Sequence, residues 1–357
     1  MTVGAVRDLG GLAGDGTAGD VPGRAPLHAV TTPPGPDPDE DPAPYGGRRL
    51  LPSHYEPVRL PREVARLGGT PEMLPAGSPG KVGLLELGFA RTAHGTELVE
   101  HYQKSPLQIM RPLYYDPLRP DMPYTYLMST GAGIHQGDRL RTDLTFGPGT
   151  SAYLTTTAYG RALRMPDDYA VAQVNLDVQE DAYVEHLPDP VIAFAGARLY
   201  QRTRATVHPT ATLVTGETFV SGRLARGERH AYTVVASDVE IERPGGDPVA
   251  VDRVRLVPDE RGTGGLAVLD DHDVLAMLYV VTPRVAPGEL TDLLQEALTP
   301  SVDDGLLLGV SALPEGTGAW VRVVGDDTRT VARAMTRAWQ SLRLRLTGRV
   351  APLVRKS

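Results

Sequence analysis

Period-two patterning, recurring at a fixed interval through the middle of the chain, constrains the fold more than any other feature. "RLRTDLTF" (Arg139 to Phe146) alternates Leu140, Thr142, Leu144 and Phe146 against Arg139, Arg141, Asp143 and Thr145. "AQVNLDV" (Ala172 to Val178) sets Ala172, Val174, Leu176 and Val178 against Gln173, Asn175 and Asp177. Alternation of this kind sends one set of side chains to a core face and the other away from it, as in a half-buried strand. Each run enters a tight connection and a return strand: "GPGTSAYLTTT" from Gly147, "QEDAYVEHL" from Gln179 and "HPTATLVTG" from His208. The returns begin alike at Ala152, Ala182 and Ala211, about 30 residues apart. A repeated hairpin at this period predicts a mainly β fold of stacked or coiled antiparallel or mixed sheets, and argues against a doubly wound sheet. A further hairpin is expected over "VEIERPGGDPVAVDRVRLV" (Val239 to Val257), with Pro-Gly-Gly-Asp as its turn.

Helical periodicity is confined to the C-terminal part, where two or so helices are expected. In "ELTDLLQEAL" (Glu289 to Leu298), Leu290, Leu293, Leu294, Ala297 and Leu298 share a face. From Asp327 to Thr347, with Thr328 as the cap, Val331, Met335, Ala338, Trp339, Leu342 and Leu346 fall at helical spacing, and Gly348 follows. The other face carries Arg329, Arg333, Arg337, Arg343 and Arg345; Arg333, Arg337 and Arg343 are candidate contacts to an acidic partner.

The first 78 residues read differently. They are rich in Pro, Gly, Asp and Ala, as in "TTPPGPDPDEDPAPYGG" (Thr31 to Gly47). With little apolar surface to bury, such a segment does not offset its ordering entropy, so residues 1–78 are expected to be a disordered extension and 79–357 a single β-rich domain. Within the extension, "LPREVARLG" (Leu60 to Gly68) has the pattern of an isolated helical turn or docking motif. The formal net charge of -8 argues against binding to nucleic acid or acidic membranes. The absence of cysteine excludes disulfides, thiolate nucleophiles and cysteine metal sites. No apolar run reaches the roughly 20 residues of a membrane span, and a soluble, cytoplasmic protein is expected.

"GAGIHQGDRL" (Gly131 to Leu140) has the look of a phosphate loop, but its Gly131, Gly133 and Gly137 give G-x-G-x-x-x-G, and a strand pattern follows where a dinucleotide loop needs a helix. The glycines are expected to let one backbone segment turn sharply beside another, with Asp138 closing the turn or pointing into a cleft. The same stretch resembles the Gly-Gly-Ile-Val-x-Gly-Asp signature of the urease accessory protein UreD (UreH) family. "LLELGFA" (Leu84 to Ala90), "SPLQIMRPLYYD" (Ser105 to Asp116), "LTTTAYGRALR" (Leu154 to Arg164) and "HLPDPVIAFAGARLYQRTR" (His186 to Arg204) are similar to further family segments in the same order. Pro190 departs from the pattern by standing where the family often has Glu; Asp189, one residue earlier, is the nearest substitute.

The resemblance implies a non-catalytic chaperone that binds apo-urease and joins UreF and UreG, a GTPase carrying nickel, to assist nickel insertion. Nickel would pass transiently, with no tightly bound cofactor. Candidate residues along such a path are Glu86, His135, Asp138, Glu185, Asp189 and Glu217, with Gly131, Gly133, Gly137 and Asp138 forming the signature loop. His186 and His208 are further imidazoles that a metal would use. The alternatives are a carboxylate-dependent hydrolase on a stacked β scaffold and a β-solenoid binding protein with no metal involvement.

Overall fold

A computed structural model describes residues 47–69, 82–265 and 268–354. The chain opens with a hairpin, β1 (Val82–Thr92) and β2 (Gly95–Lys104), and two strands, β3 (Leu107–Gln108) and β4 (Tyr124–Ser129). It then winds as a coil. β5 (Arg139–Phe146) leads to β6 (Ser151–Thr156) and β7 (Gly160–Ala162). β8 (Ala170–Val178) leads to β9 (Tyr183–His186) and β10 (Val191–Ala193), and β11 (Arg198–Val207) leads to β12 (Thr212–Val220). β5, β8 and β11 pair in parallel in one sheet, and β6, β9 and β12 pair in parallel in the other.

The connections that read as hairpin turns are therefore corners between two sheets: β5 bonds to β1 and β8, and β6 bonds to β4 and β9. Each corner hydrogen-bonds to the next. Tyr183 N–H donates to Thr150 O and Thr212 N–H to Ala182 O, both at 2.8 Å. Ala152, Ala182 and Ala211 are fully buried at these corners, where a larger side chain would push neighbouring coils apart. The approximate 30-residue repeat is thus one turn of the coil. Hairpins occur outside the coil, at β1–β2, at β13 (Val234–Glu242) with β14 (Pro248–Leu256), and, after β15 (Val274–Val281), at β16 (Leu307–Ala312) with β17 (Gly318–Gly325). The first sheet has the order β14-β13-β11-β8-β5-β1-β2. The second runs β16-β17-β15-β12-β9-β6-β4-β3, with β7 and β10 joined beside β12.

Leu144, Phe146, Leu176, Val178, Leu199 and Leu213 belong to the core between the sheets. A second core lies on the opposite face of the second sheet. There α3 (Pro287–Leu298) and α5 (Thr328–Thr347), preceded by single turns α1 (Arg62–Ala65) and α2 (Pro258–Arg261) and interrupted by α4 (Pro300–Asp303), cover β15 and β17 with Leu290, Leu294, Trp339, Leu342 and Leu346. Because β15 is covered on both sides, its sequence VLAMLYVV is an unbroken apolar run, buried throughout. Asp327, one residue before the expected Thr328, caps α5 by accepting from Thr330 N–H at 3.0 Å, and Gly348 ends it at φ 67°.

The expected disorder of residues 1–78 is corrected over 49–69, which lie as a strap across the outer face of the first sheet; residues 1–46 and 70–81 lie outside the described residues. Val64 is fully buried and Tyr55 nearly so. Val64 packs with Val171, Tyr200, Val234 and Ala236 of the sheet, while Gln173 Nε2 donates to Tyr55 O at 2.8 Å. The strap has too little apolar surface for a core of its own; it completes one whose other half comes from residues over a hundred positions later. α1 is the helical turn expected within Leu60–Gly68.

Candidate functional site

The glycine loop is a crossing of backbones. Gly131, Gly133 and Gly137 all have positive φ, at 106°, 147° and 74°. A Cβ on Gly133 would stand 2.3 Å from Arg161 O, because the loop runs directly against β7, to which Ile134 N–H bonds at 2.7 Å. Asp138 is buried, and its Oδ2 accepts from His135 N–H at 2.9 Å, closing the turn. Asp138 O accepts from Val171 N–H and Gly137 N–H donates to Tyr169 O, so the loop sets the register in which β5 enters the sheet.

Beside this loop, between the two sheets, lies a cavity of about 240 Å³ lined by Gly131, Gly133, Thr142, His186, Asp189 and Glu217. A groove of about 310 Å³ lies between the second sheet and α5, lined by Asp189, Glu217, Met335, Trp339 and Leu353. Pro188, Asp189, Glu217 and Thr218 line both, and so form the wall that divides them. Glu217 projects between the sheets from β12 and accepts from Thr203 Oγ1 at 2.7 Å and Ser237 Oγ at 2.6 Å. Burial raises its pKa, against the pull of those hydroxyls. Asp189 accepts from Thr156 Oγ1 at 3.0 Å and its N–H returns a bond to the same hydroxyl at 2.8 Å. Burial pushes His186 down to about 4, so its ring is neutral; Nδ1 lies 3.0 Å from Thr215 Oγ1.

The remaining candidates lie elsewhere. Glu86 is on the outer face of the first sheet, 2.6 Å from Arg49 of the strap. With His54 and Asp143 it forms the one group among the described residues whose three possible ligand atoms lie within 4.8 Å of one another. Both of its carboxylates are engaged by guanidinium groups, since Arg141 meets Asp143 at 2.8 Å. His135 contributes its backbone to the glycine turn, and His208 lies at a coil corner with Nδ1 3.0 Å from Thr210 Oγ1. Glu185 is fully buried in a charge cluster: Arg343 reaches Glu185 at 2.8 Å and Asp116 at 3.0 Å, Tyr183 OH donates to Glu185 and Tyr124 OH to Asp116. Arg343 therefore leaves the expected arginine face. It sits four residues after Trp339 and three before Leu346, within the apolar stripe of α5, and is 0% exposed. Arg329, Arg333 and Arg337 do stand together on the outer side of α5, beside Tyr159.

Over residues 81–357 the chain matches the family model described as UreD urease accessory protein. The chain belongs to this family. It is 52% identical over 295 residues to Urease accessory protein UreD 2 of Streptomyces griseus, covering 82% of this chain and all of that relative. It is 34% identical over 295 residues to UreD 3 of Methylorubrum populi, and 35% identical over 280 residues to UreD of Haloarcula marismortui, covering 94% and 92% of those relatives.

The coil, glycine loop, cavity and α5 all lie inside the region matched to UreD, whereas the strap precedes it. Of the six path candidates, Asp189 and Glu217 converge on one wall, with His186 lining the cavity side only; Glu86, His135, Asp138 and Glu185 do not line the cavity. The link between the cavity and the groove was not legible in the sequence, because it depends on residues 189 and 217 being brought together by the coil. Arg343 had a readable signal: a lone cation inside the apolar stripe of an amphipathic helix.

Proposed function

We propose that this chain acts in the cytoplasm as a non-catalytic accessory protein that binds apo-urease and works with UreF and UreG to deliver nickel, which passes transiently. The single observation behind this reading is the Asp189–Glu217 wall between the interior cavity and the groove at α5. Two spaced carboxylates stabilise a hard or borderline dication without enclosing it, and so do not trap the ion in transit. Glu217 is held between two donating hydroxyls, and its burial, which raises its pKa, leaves its carboxyl poorly solvated and so receptive to a cation. The loop carrying Asp138 supports this wall as a backbone frame. On the outer side of α5, Arg333 and Arg337 are the partner contacts in this reading, meeting an acidic surface.

Glu217→Gln with Asp189→Asn keeps shape and hydrogen bonding while removing charge. Expected is an intact complex with apo-urease, UreF and UreG, but nickel-dependent urease activation reduced at least about tenfold, the effect of removing about 1.4 kcal/mol or more of cation stabilisation. Activation at the wild-type rate, with the complex intact, rejects the path through this wall. Failure of the wild-type chain to bind apo-urease rejects the accessory role itself.

A further inference from the structure

Among the described residues, four strands end the main runs of the two sheets, apart from the three-residue β7 that ends the side branch, and three of the four are guarded. β14 carries Pro248, Asp252, Arg253 and Arg255; β2 carries Glu97, Glu100 and Lys104; β3 is two residues long. Charge, proline and shortness are the usual means by which an open edge is kept from pairing with another chain. β16 has none of them. Its sequence is LLGVSA, without charge or proline, and among the described residues it pairs with β17 alone. Leu308 and Val310 turn inward to the core beneath α3 and α5, while Leu307 is 51% exposed. Gly309 has open space where a Cβ would stand, so the face away from the core is uncovered at the middle of the strand.

We propose that β16 is a receptor strand, to which an extended segment of a partner protein adds by main-chain pairing. The occupant's chemistry follows from the surroundings. α3, packed against β16, exposes Asp292 and Glu296; Asp303 is exposed just before the strand and Glu315 just after it. An uncharged strand with exposed acids at both of its ends and on the adjoining helix, and with Arg322 of β17 opposite its central Gly309, fits a partner segment that is uncharged in the middle and basic at its ends. A second copy of β16 fits worse, because antiparallel self-pairing brings Asp303 of one chain toward Glu315 of the other. This inference is independent of the nickel path.

The test uses the full chain and a fluorescent peptide of alternating valine and threonine with lysine at both ends. Expected are saturable binding and slowed amide exchange over residues 307–312. Affinity should fall about tenfold when the lysines become aspartates, and again in Leu307→Lys/Ser311→Lys, which sets like charge against the peptide at a pairing edge. Both substituted side chains are exposed, so the thermal midpoint of that variant should match wild type. Absence of saturable binding, equal affinity for the two peptides, or protection elsewhere than β16 overturns the proposal. A dimer of the chain that is abolished by the same variant overturns it too, by assigning the edge to a second copy.

Discussion

Asp138 shows how much of a signature residue's role is decided by one hydrogen bond. Its carboxylate accepts from His135 N–H inside a buried turn, so Asp138→Ala leaves that donor unsatisfied and should cost about 1–3 kcal/mol. Asp138→Asn keeps an acceptor and should melt close to wild type; if both variants lose stability equally, the charge and not the acceptor matters. His186 makes a pH-dependent claim. Its folded-state value of about 4 lies below the ordinary 6.5, so between these limits the unfolded chain binds more protons and stability falls as pH drops. At about 1.4 kcal/mol per pH unit the full loss is roughly 3 kcal/mol. Glu217 acts with the opposite sign, because its raised pKa makes stability fall as pH rises through the folded value. Denaturant melts of wild type and His186→Gln across pH 4 to 6.5 separate the two. A variant whose slope equals that of wild type shows that His186 is not the residue titrating.

At the scale of elements, α5 is fixed by two different forces. Its apolar stripe was plain in the sequence, and so were its length and its terminal glycine. What periodicity could not supply was the partners of Arg343: its place in the stripe, one turn after Trp339, marks a cation that must be buried or snorkel, but not which groups meet its charge. The structure resolves this by tertiary means: Glu185 from β9 and Asp116 from the loop before β4 meet the guanidinium where no solvent reaches. Arg343→Met should therefore cost about 3–5 kcal/mol, because it strands two buried acids. Adding Glu185→Gln and Asp116→Asn should recover most of that loss, as polar neutral groups remain bonded to Tyr183 and Tyr124. Calorimetric melts of the single and triple variants provide the check. A triple variant no more stable than the single one would show that packing around the arginine stem, and not its charge, holds the helix. The β elements show a matching limit. Alternation located β5 and β8, but Ala172 and Val174 are half-buried because they face the cavity, while Gln173, expected outward, is buried beneath the strap.

For the whole molecule, the repeat spacing was enough to indicate stacked or coiled sheets, and in the structure each turn of the coil contributes a strand to both sheets, which sets a nearly constant turn length. The partner of a strand is not encoded in its own alternation, so the corners were readable only as turns. The strap was missed for a related reason. Composition judges whether a segment can bury enough of itself, whereas residues 49–69 are ordered by a surface that already exists. Tyr55 and Val64 cover apolar residues on a sheet face that would otherwise be wet, and Arg139 bonds Glu56 while Arg198 bonds Leu67 O across the same boundary. Burial of two such side chains is worth about 1.5–3 kcal/mol each, on top of the strap's hydrogen bonds and ion pairs to the sheet. A chain beginning at residue 70 should thus be less stable than one beginning at residue 47 by about 2–4 kcal/mol, with the difference concentrated on β8, β11 and β13 in hydrogen exchange. Equal melts for the two truncations would mean that the strap rests on the sheet without stabilising it. If the shorter chain is the less stable, adding the 47–69 peptide in trans should restore protection to the same three strands, since the docking face is built entirely by the rest of the fold.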